Sequence, residues 1–328
     1  MKKALRILLQ LIIVFFMAVV GFYFWGSATT LSKEKHKLLL VDSTYVHSLK
    51  DSVFSIVTYN IGYLSGMTNN QEVVKDVDHK AMFKNNLLKT LEGIKKTTPD
   101  IIAFQEIDYN ADRSYNVNQE EAITALGYGY VARGVNWDKR YVPFPYWSFE
   151  SHFGKVVSGQ SIVSKYPITM YDCMELQRVE NTPFYIDRFY IDRLLQVVKL
   201  QINQRELVVM NVHLEAFDIP TRVAQFHKVV SLFKEYKAKY PTILVGDFNS
   251  EARKEEAIIH ELITMDEVGN VLFDVKAPEN TYSSENPHKR IDYIFYTKES
   301  IDCIGGEVLK DFGTISDHLP LAMQFKFK

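Results

Sequence analysis

Residues 242–249 read TILVGDFN, a short apolar run that is followed by a glycine, Asp247, Phe248 and Asn249. The run has the length and composition of a buried strand. Successive side chains of an extended chain point to opposite faces, so Asp247 and Asn249 share one face. The stretch therefore predicts a buried strand that carries a carboxylate and an amide at the point where the chain turns.

Five other segments also place polar side chains at or beside an apolar run. They are TYNIGY with Asn60, IIAFQEID with Glu106, VVMNVHLEA with Asn211 and His213, KRIDYIF with Asp292, and ISDHLP with Asp317 and His318. Strand ends are where proteins commonly build binding and catalytic sites. A single Asp or Asn after a strand is more often a turn former or a helix cap, so the prediction of a site depends on the whole set.

The surrounding sequence predicts an α/β domain. Apolar, β-branched runs alternate with segments of helical periodicity such as the one that carries Phe83, Leu87, Leu91 and Ile94. At 328 residues with 47% hydrophobic residues, the chain supplies a sizeable core, which excludes a disordered or fibrous protein. Its two cysteines are too few for a disulfide framework or a cysteine metal cluster.

The N-terminus contains a long apolar segment. Residues 7–25 are almost wholly apolar, interrupted by Gln10, and they follow Lys2, Lys3 and Arg6. This is the length of a membrane-spanning helix. The positive charges that precede it favour a cytoplasmic N-terminus, with the remainder of the chain on the extracytoplasmic side.

Two other interpretations of this segment remain open. Gly26, Ser27 and Ala28 offer small residues for cleavage of a signal peptide, which would make the protein secreted, although the apolar region of such a peptide usually runs only about 7–15 residues. A buried core helix is disfavoured because no polar face is present. We therefore predict an uncleaved single-pass anchor over residues 1–30, a linker over residues 31–50 and one catalytic domain over residues 51–328.

The charge of the domain bears on its partners. The first 30 residues carry three of the 38 basic residues and none of the 40 acidic ones, which leaves a formal charge of −5 on the rest. An enzyme that acts on nucleic acid is more often basic.

The six motifs, in this order and with these spacings, resemble the endonuclease/exonuclease/phosphatase superfamily, which includes deoxyribonuclease I, exonuclease III, neutral sphingomyelinases and inositol polyphosphate 5-phosphatases. GDFN and SDHLP at their separation are the most specific part, and the resemblance spans about Asp51 to Lys328. It implies a four-layer α/β sandwich, in which two packed, mostly antiparallel β-sheets are flanked by helices and the site lies in a cleft at one end. The predicted N-terminal transmembrane helix precedes this fold.

The resemblance also implies a mechanism, the hydrolysis of a phosphoester by water with Mg²⁺, or alternatively Mn²⁺, as cofactor. Hard oxygen ligands suit such a cation. The implied metal ligands are Glu106 and Asn60, with Asp317 and Asp247 completing the metal environment or supporting a second ion. The implied catalytic residues are His318 as general base, Asp292 as its orienting carboxylate, His213 and Asn249 as donors to phosphate oxygens, and Asp247 as an aid to the leaving oxygen.

The substrate is less well indicated. An aromatic loop over residues 137–153 either docks on a lipid surface or packs over a sheet edge. Four cations either contact a phosphate-bearing headgroup or are scattered surface charge, namely Arg113, Arg133, Lys139 and Arg140. We favour a lipid or a small phosphorylated molecule as substrate. A tethered or secreted DNA or RNA endonuclease is the alternative, and an inactive, membrane-tethered binding module is a second one. The oligomeric state is not indicated.

Overall fold

The computed structural model describes residues 2–45, 52–70, 78–145, 149–254, 256–272 and 279–328. Asp51, the predicted start of the domain, and residues 146–148 of the aromatic loop lie outside these ranges. The thirteen strands are β1 Lys37–Val41, β2 Phe54–Asn60, β3 Ile101–Asp108, β4 Tyr130–Val142, β5 Gly154–Ser164, β6 Ile168–Glu175, β7 Leu194–Ile202, β8 Arg205–His213, β9 Thr242–Asp247, β10 Val268–Asn270, β11 Asp292–Thr297, β12 Ile301–Val308 and β13 Leu321–Phe327. The helices are α1 Lys2–Gly26, α2 His79–Thr97, α3 Gln119–Thr124, α4 Phe184–Asp187, α5 Ile219–Lys237 and α6 His260–Ile263.

The strands form two sheets. The first has the order β1-β4-β5-β3-β2-β13-β12, and the second has the order β10-β11-β9-β8-β7-β6. Two neighbouring pairs are parallel, β2 with β3 and β8 with β9, and the others are antiparallel. The predicted pair of mostly antiparallel sheets is therefore confirmed.

Three apolar cores separate four layers. The central core lies between the sheets, where residues such as Ile56 and Ala103 of the first sheet meet Val209 and Val245 of the second. A second core packs the outer face of the first sheet against α2 and α3, and a third packs the outer face of the second sheet against α5 and α6. This layering confirms the predicted sandwich.

Local sequence signals set the two long helices of the sandwich. The side chain of Asp78 caps the start of α2 by accepting a hydrogen bond from the Ala81 amide at 3.0 Å, and the chain leaves the helix at Thr98 in a left-handed conformation, just before Pro99. Asp218 caps α5 in the same way through the Thr221 amide at 2.8 Å. Both helices therefore begin where the side chain of an Asp replaces a missing backbone acceptor.

The predicted linker over residues 31–50 contains a strand. Within it, Lys37–Val41 pairs in antiparallel register with residues 130–134 of β4 and forms an edge of the first sheet. A run of only four apolar residues, LLLV, does not reveal this pairing, because its partner is about ninety residues away in sequence and edge strands are often short. This part of the predicted linker therefore belongs to the sheet.

Helix α1 is the one described helix that is long and apolar enough to cross a membrane. Its side chains are exposed except near its C-terminal end, where Gly26 is buried. The alternative of a buried core helix is therefore wrong, while a membrane span and a signal sequence both remain compatible with the helix. Cys173 and Cys303 are both free thiols, so the chain has no disulfide staple.

Gly246 is required by the close approach of two parallel strands. Its φ of +139° lies in a region that L side chains rarely adopt, and an added Cβ would lie 1.9 Å from the carbonyl oxygen of Val212 on β8. We expect Gly246→Ala to lower the free energy of unfolding by about 2–3 kcal/mol, because neither backbone can move without breaking the parallel pairing. Urea denaturation of the detergent-solubilised chain measures this change.

Gly305→Ala is the matched control for this prediction. Gly305 lies on β12 with open space around the position of its Cβ, so its substitution should change the free energy of unfolding little. Equal stability of the two variants would contradict the steric argument.

Candidate active site

The polar residues of the six motifs meet at one end of the sandwich because of strand direction. Parallel pairing brings the ends of β8 and β9 together and aligns His213 with Asp247. Antiparallel pairing of β11 with β9 then places Asp292, the first residue of β11, opposite Asp247. The ends of β2 and β3 converge in the same way in the first sheet, where Asn60 aligns with Gln105.

An open cleft of about 880 Å³ lies over these strand ends. Seven of the eight predicted site residues line it, namely Asn60, Glu106, His213, Asp247, Asn249, Asp317 and His318. The eighth, Asp292, is buried behind His318. The structure thus brings all eight together.

His318 and Asp292 form a buried hydrogen-bonded pair. The imidazole Nδ1 lies 2.9 Å from Asp292 Oδ2, which also accepts a hydrogen bond from the hydroxyl of Thr281 at 2.5 Å. A carboxylate at Nδ1 selects the tautomer in which Nδ1 carries the proton. The other ring nitrogen, Nε2, then lies on the cleft side, 3.7 Å from Asp247 Oδ2.

The charges around this pair shift the pKa values of His318 and Asp247. Burial alone lowers the pKa of His318, but attraction to the carboxylates of Asp292 and Asp247 outweighs burial and holds the pKa well above its usual range. Burial raises the pKa of Asp247 to about 7, and the neighbouring Asp292 adds to the shift, whereas His318 opposes it. The cleft floor therefore concentrates negative charge that the protein compensates only in part.

Asp247 contacts several of the other polar residues at the cleft floor. Its Oδ2 accepts a hydrogen bond from the Asn60 amide group at 3.0 Å, and its Oδ1 accepts one from the Asn249 backbone at 2.9 Å. His213 Nε2 lies 3.5 Å from Oδ2. Asn249 has a φ of +48°, and its side-chain nitrogen donates to the carbonyl of Leu214 at 3.0 Å, which holds the amide at the cleft wall.

Glu106 reaches the cleft through a bulge in β3. The register of β3 against β5 shifts between Phe104 and Ile107, and Glu106 has a φ of +53°. A bulge of this kind turns a side chain away from strict alternation. As a result Gln105 points into the protein and is fully buried, while Glu106 lies at the cleft, with Oε1 3.9 Å from His213 Nε2.

Asp317 occupies a tight corner beside Gly62. A Cβ at Gly62, whose φ is +52°, would lie 2.6 Å from the Ser316 hydroxyl and 3.2 Å from Asp317 Oδ1. The same hydroxyl donates to the Asn60 carbonyl at 2.8 Å. The corner therefore brings the carboxylate of Asp317 close to Asn60 across the end of the first sheet.

The donor set fits a divalent cation. Among the described residues, Asp247, Asp292 and His318 have ligand atoms within 4.8 Å of one another, and Asp292 Oδ1 is buried without a hydrogen-bond partner in the described part of the chain. This group shares Asp247 with the metal ligands that the sequence predicts. Carboxylate and amide oxygens are the ligands that Mg²⁺ prefers.

Arg193 is a cleft residue that the sequence analysis missed. Its Nη1 lies 2.8 Å from His213 Nε2, and its Nε lies 3.4 Å from Glu215 Oε2. Burial lowers the pKa of His213 well below its usual range, and the cations at Arg193 and His318 add to this effect. Arg193 directly precedes β7, but the sequence does not mark this position as one that faces the cleft, because long-range packing brings it there.

The remaining cations and tyrosines differ in whether they line the cleft. Of the four cations near the aromatic loop, Arg113 lines the cleft; it pairs with Asp108 at 2.9 Å and its guanidinium lies 3.4 Å from the ring centre of Tyr63. Arg133, Lys139 and Arg140 lie outside the cleft lining. The tyrosines that line the cleft are Tyr63 and Tyr282.

Asn211, whose role the sequence left open, lies behind the cleft in a buried amide network between the sheets. Its side-chain oxygen accepts from Gln105 Nε2 at 2.6 Å, and its nitrogen donates to the carbonyl of Phe104 and to Gln196 Oε1, both at 3.0 Å. Gln196 in turn donates to the carbonyls of Ala132 and Gln160. The network joins β3, β4 and β5 of the first sheet to β7 and β8 of the second.

Comparison with known proteins gives one family match. The profile of the endonuclease/exonuclease/phosphatase family matches residues 57–318. No match to a curated protein is found.

Solved structures share the fold. An endonuclease/exonuclease/phosphatase from Beutenbergia cavernae is 20% identical, with 84% of this chain and 72% of that chain covered and a TM-score of 0.64. The human Nocturnin catalytic domain with bound sulfate anion is 18% identical, with 91% and 100% covered and a TM-score of 0.59. Truncated TDP2 from Caenorhabditis elegans is 18% identical, with 85% and 100% covered and a TM-score of 0.55.

The amide network should contribute measurably to the free energy of unfolding. We expect Asn211→Leu, which keeps the number and branching of the side-chain heavy atoms, to lower the free energy of unfolding by about 3 kcal/mol because it leaves buried amide groups of Gln105 and Gln196 without partners. Urea denaturation followed by tryptophan fluorescence measures the change. Gln204→Leu, in the exposed turn between β7 and β8, is the control, and equal stability of the two variants would show that the network contributes little.

Proposed function

The chain belongs to the endonuclease/exonuclease/phosphatase family, whose members are generally metal-dependent hydrolases of phosphoesters, and we propose that it hydrolyses a phosphoester bond with Mg²⁺ as cofactor. The observation that carries the proposal is the buried His318–Asp292 pair, whose free ring nitrogen lies beside Asp247 at the floor of an oxygen-lined cleft. A phosphate ester resists attack because its oxygens are anionic, so a catalyst must supply positive charge and a proton acceptor.

The proposed metal ligands are Glu106, Asn60, Asp317 and Asp247. Asp292 and His318 are close enough to join them, but they are already hydrogen-bonded to each other, with His318 Nδ1 2.9 Å from Asp292 Oδ2. When bound, Mg²⁺ supplies positive charge to the phosphate oxygens and lowers the pKa of a bound water. The carboxylates of the cleft floor are the reason that a cation would be stable here.

His318 is the proposed general base. Asp292 holds the ring so that Nε2 accepts a proton from water, and it stabilises the imidazolium that forms. The pKa of His318 lies well above its usual range mainly because Asp292 and Asp247 attract its proton against the effect of burial. A cation held by Asp247 would cancel part of that attraction and so would lower the pKa of His318, which favours its role as a base.

The phosphate oxygens would be bound beside the metal ligands, by Arg193, His213 and Asn249, which also line the cleft. His213 is neutral because burial and Arg193 hold its pKa well below the usual range. The guanidinium of Arg193 donates hydrogen bonds to anionic oxygens, and His213 would donate from Nε2 once Arg193, which donates to that nitrogen at 2.8 Å here, turns to the phosphate. Both contributions grow as charge develops in the transition state.

For the substrate we propose a lipid or a small phosphorylated molecule. The −5 charge of the chain beyond residue 30 opposes the approach of a polyanion such as DNA. The sulfate anion in the Nocturnin structure shows only that a domain of this fold accommodates a tetrahedral anion. We also propose that α1 is retained as a single-pass anchor in front of a catalytic domain that begins with β1.

Removing the base should abolish turnover without unfolding the protein. We expect His318→Ala and Asp292→Asn each to lower kcat by about 10³-fold, because the first loses the proton acceptor and the second favours the wrong tautomer. Release of nitrophenol from bis(4-nitrophenyl) phosphate with Mg²⁺ measures kcat, and circular dichroism checks the fold. His227→Ala, an exposed histidine on α5, is the control.

A panel of plasmid DNA, sphingomyelin, glycerophospholipids and inositol phosphates then identifies the substrate class. Wild-type rates in both site variants would overturn the proposed mechanism. Metal-dependent nicking of plasmid without hydrolysis of the other substrates would make the protein a nuclease.

Metal binding should depend on the proposed ligands. We expect EDTA to abolish turnover, and we expect Glu106→Gln and Asp317→Asn each to weaken Mn²⁺ binding about 10-fold or more because each removes a charged oxygen ligand. Electron paramagnetic resonance of free Mn²⁺ measures the affinity without reference to activity. Unchanged Mn²⁺ affinity in both variants would place the cation elsewhere, and wild-type behaviour of Glu106→Ala in every assay would support an inactive binding module.

A further inference from the structure

The C-terminal end of α1 is packed against the catalytic domain. The ring of Tyr23 lies 5.8 Å from that of Phe184 and 6.0 Å from that of Phe189, and its hydroxyl donates to the Phe184 carbonyl at 3.2 Å. On the neighbouring side, Phe22 and Trp25 both contact the ring of Tyr141, with centroids 5.7 and 6.3 Å apart. The helix therefore meets the domain through aromatic contacts on two sides.

The chain that follows α1 is also fixed. Gly26 and Ser27 are buried, and the Ser27 hydroxyl lies 3.2 Å from Arg188 Nε. Asp138 on β4 accepts three hydrogen bonds of 2.7–2.8 Å from the backbone and hydroxyl of Thr30 and the backbone of Leu31. Burial alone would raise the pKa of Asp138, but these hydrogen bonds outweigh burial and lower it. The helix and the domain are thus joined without a loose linker.

This attachment fixes the height of nearby residues above a bilayer. The apolar part of α1, residues 7–25, is about 28 Å long at about 1.5 Å per residue, which matches a hydrocarbon core of about 30 Å. Tyr23 and Trp25 then lie at the end of the span, in the interface where aromatic residues are enriched. Side chains that touch them, such as Phe184 and Tyr141, are placed at the same level.

Exposed aromatic rings surround this attachment and the cleft. We name Phe149, Phe184, Tyr185 and Phe217 the aromatic rim; their exposed fractions are 84%, 72%, 57% and 80%. Phe184 contacts the anchor and Phe217 lines the cleft. Large rings rarely stay this exposed in water, and several together mark a surface that binds an apolar partner.

The anchor and the cleft are separated by only two contacts. Tyr23 packs on Phe189, whose carbonyl accepts a hydrogen bond of 2.9 Å from the indole of Trp137, and Trp137 lines the cleft. Trp137, Phe144, Phe153 and Ile191 form an apolar wall, which lies in the same cleft as the polar side with Glu106 and His213. Such a cleft offers one wall to an apolar group and the other to a phosphate.

We propose that the aromatic rim rests in the membrane interface beside α1, and that the cleft thereby takes its phosphoester from the headgroup of a phospholipid in the same membrane. The first part stands on the packing of α1 and the exposed rings, and the second rests on the proposed function. The rim inserts next to the helix that places it there, the headgroup enters at Phe217, and the acyl chains remain in the bilayer.

The first experiment measures depth and does not depend on activity. In the full chain with Cys173→Ser and Cys303→Ser, a nitrobenzoxadiazole label is attached at Tyr185→Cys, or at Ile304→Cys on the far edge strand β12 as the control. The protein is reconstituted in phosphatidylcholine vesicles that contain lipid with a nitroxide near the headgroup. We expect strong quenching at position 185 and little at 304. Equal quenching at the two positions, or a mature chain that lacks α1, overturns the proposal.

The second experiment separates the substrate proposal from the proposed reaction. Phe184→Ser/Tyr185→Ser is compared with Leu88→Ser, an exposed apolar residue on α2, on phospholipid vesicles and on bis(4-nitrophenyl) phosphate. We expect the rim variant to lose about ten-fold on vesicles and to keep its rate on the soluble ester, because it loses interfacial apolar area and no cleft residue. Equal loss on both substrates, or none on vesicles, overturns the lipid proposal. Failure of the wild type on every ester overturns the proposed function instead.

Discussion

The buried amide network between the sheets is the constraint on which the site depends. Asn211 and Gln196 of the second sheet are hydrogen-bonded with Gln105 and Gln160 of the first in the buried core, where an amide group that loses its partner costs about 1–3 kcal/mol. An apolar core tolerates a small slip of one sheet over the other, whereas a hydrogen-bonded one does not. The cleft takes residues from both sheets, so the network that fixes their relative position also fixes the distance from Asn60 to Asp247.

The same rigidity lets the cleft keep charges that repel one another. Asp247 and Asp292 are both buried, the pKa of Asp247 is raised to about 7 chiefly by burial, and that of His318 is held high against burial by the two carboxylates. A flexible site would relax by moving the carboxylates apart or into water. Here the backbone pairing of β9 with β11 holds them opposite each other. Holding the two carboxylates close together lowers the stability of the fold, and a bound cation would offset this repulsion.

The sequence was informative where side-chain direction follows from simple strand alternation. Asp247 and Asn249 were predicted as a pair because both follow one apolar strand, and the four-layer sandwich followed from the resemblance of the motifs. Glu106 and Gln105 are adjacent, and alternation alone does not say which faces the cleft; a bulge and a positive φ at Glu106 decide it. The sequence does not predict Arg193 and Tyr63 as cleft residues because long-range packing brings them there, and it does not distinguish β1 from a linker because the partner of β1 is distant in sequence.

The packed junction after α1 would have a physical consequence for the proposed membrane-anchored enzyme. A flexible linker would let the domain tumble above the membrane, and only a fraction of its orientations would present the cleft to the bilayer. Asp138 contacts Thr30 and Leu31, and Tyr23 packs on the domain. These contacts orient the domain relative to α1 during folding, so the entropy of orientation is lost before any substrate binds. Binding of the proposed headgroup would then require no further ordering of the domain, so the membrane surface would set the local concentration of substrate. A soluble substrate would gain nothing from this geometry, and a retained anchor would therefore favour a substrate that resides in the membrane.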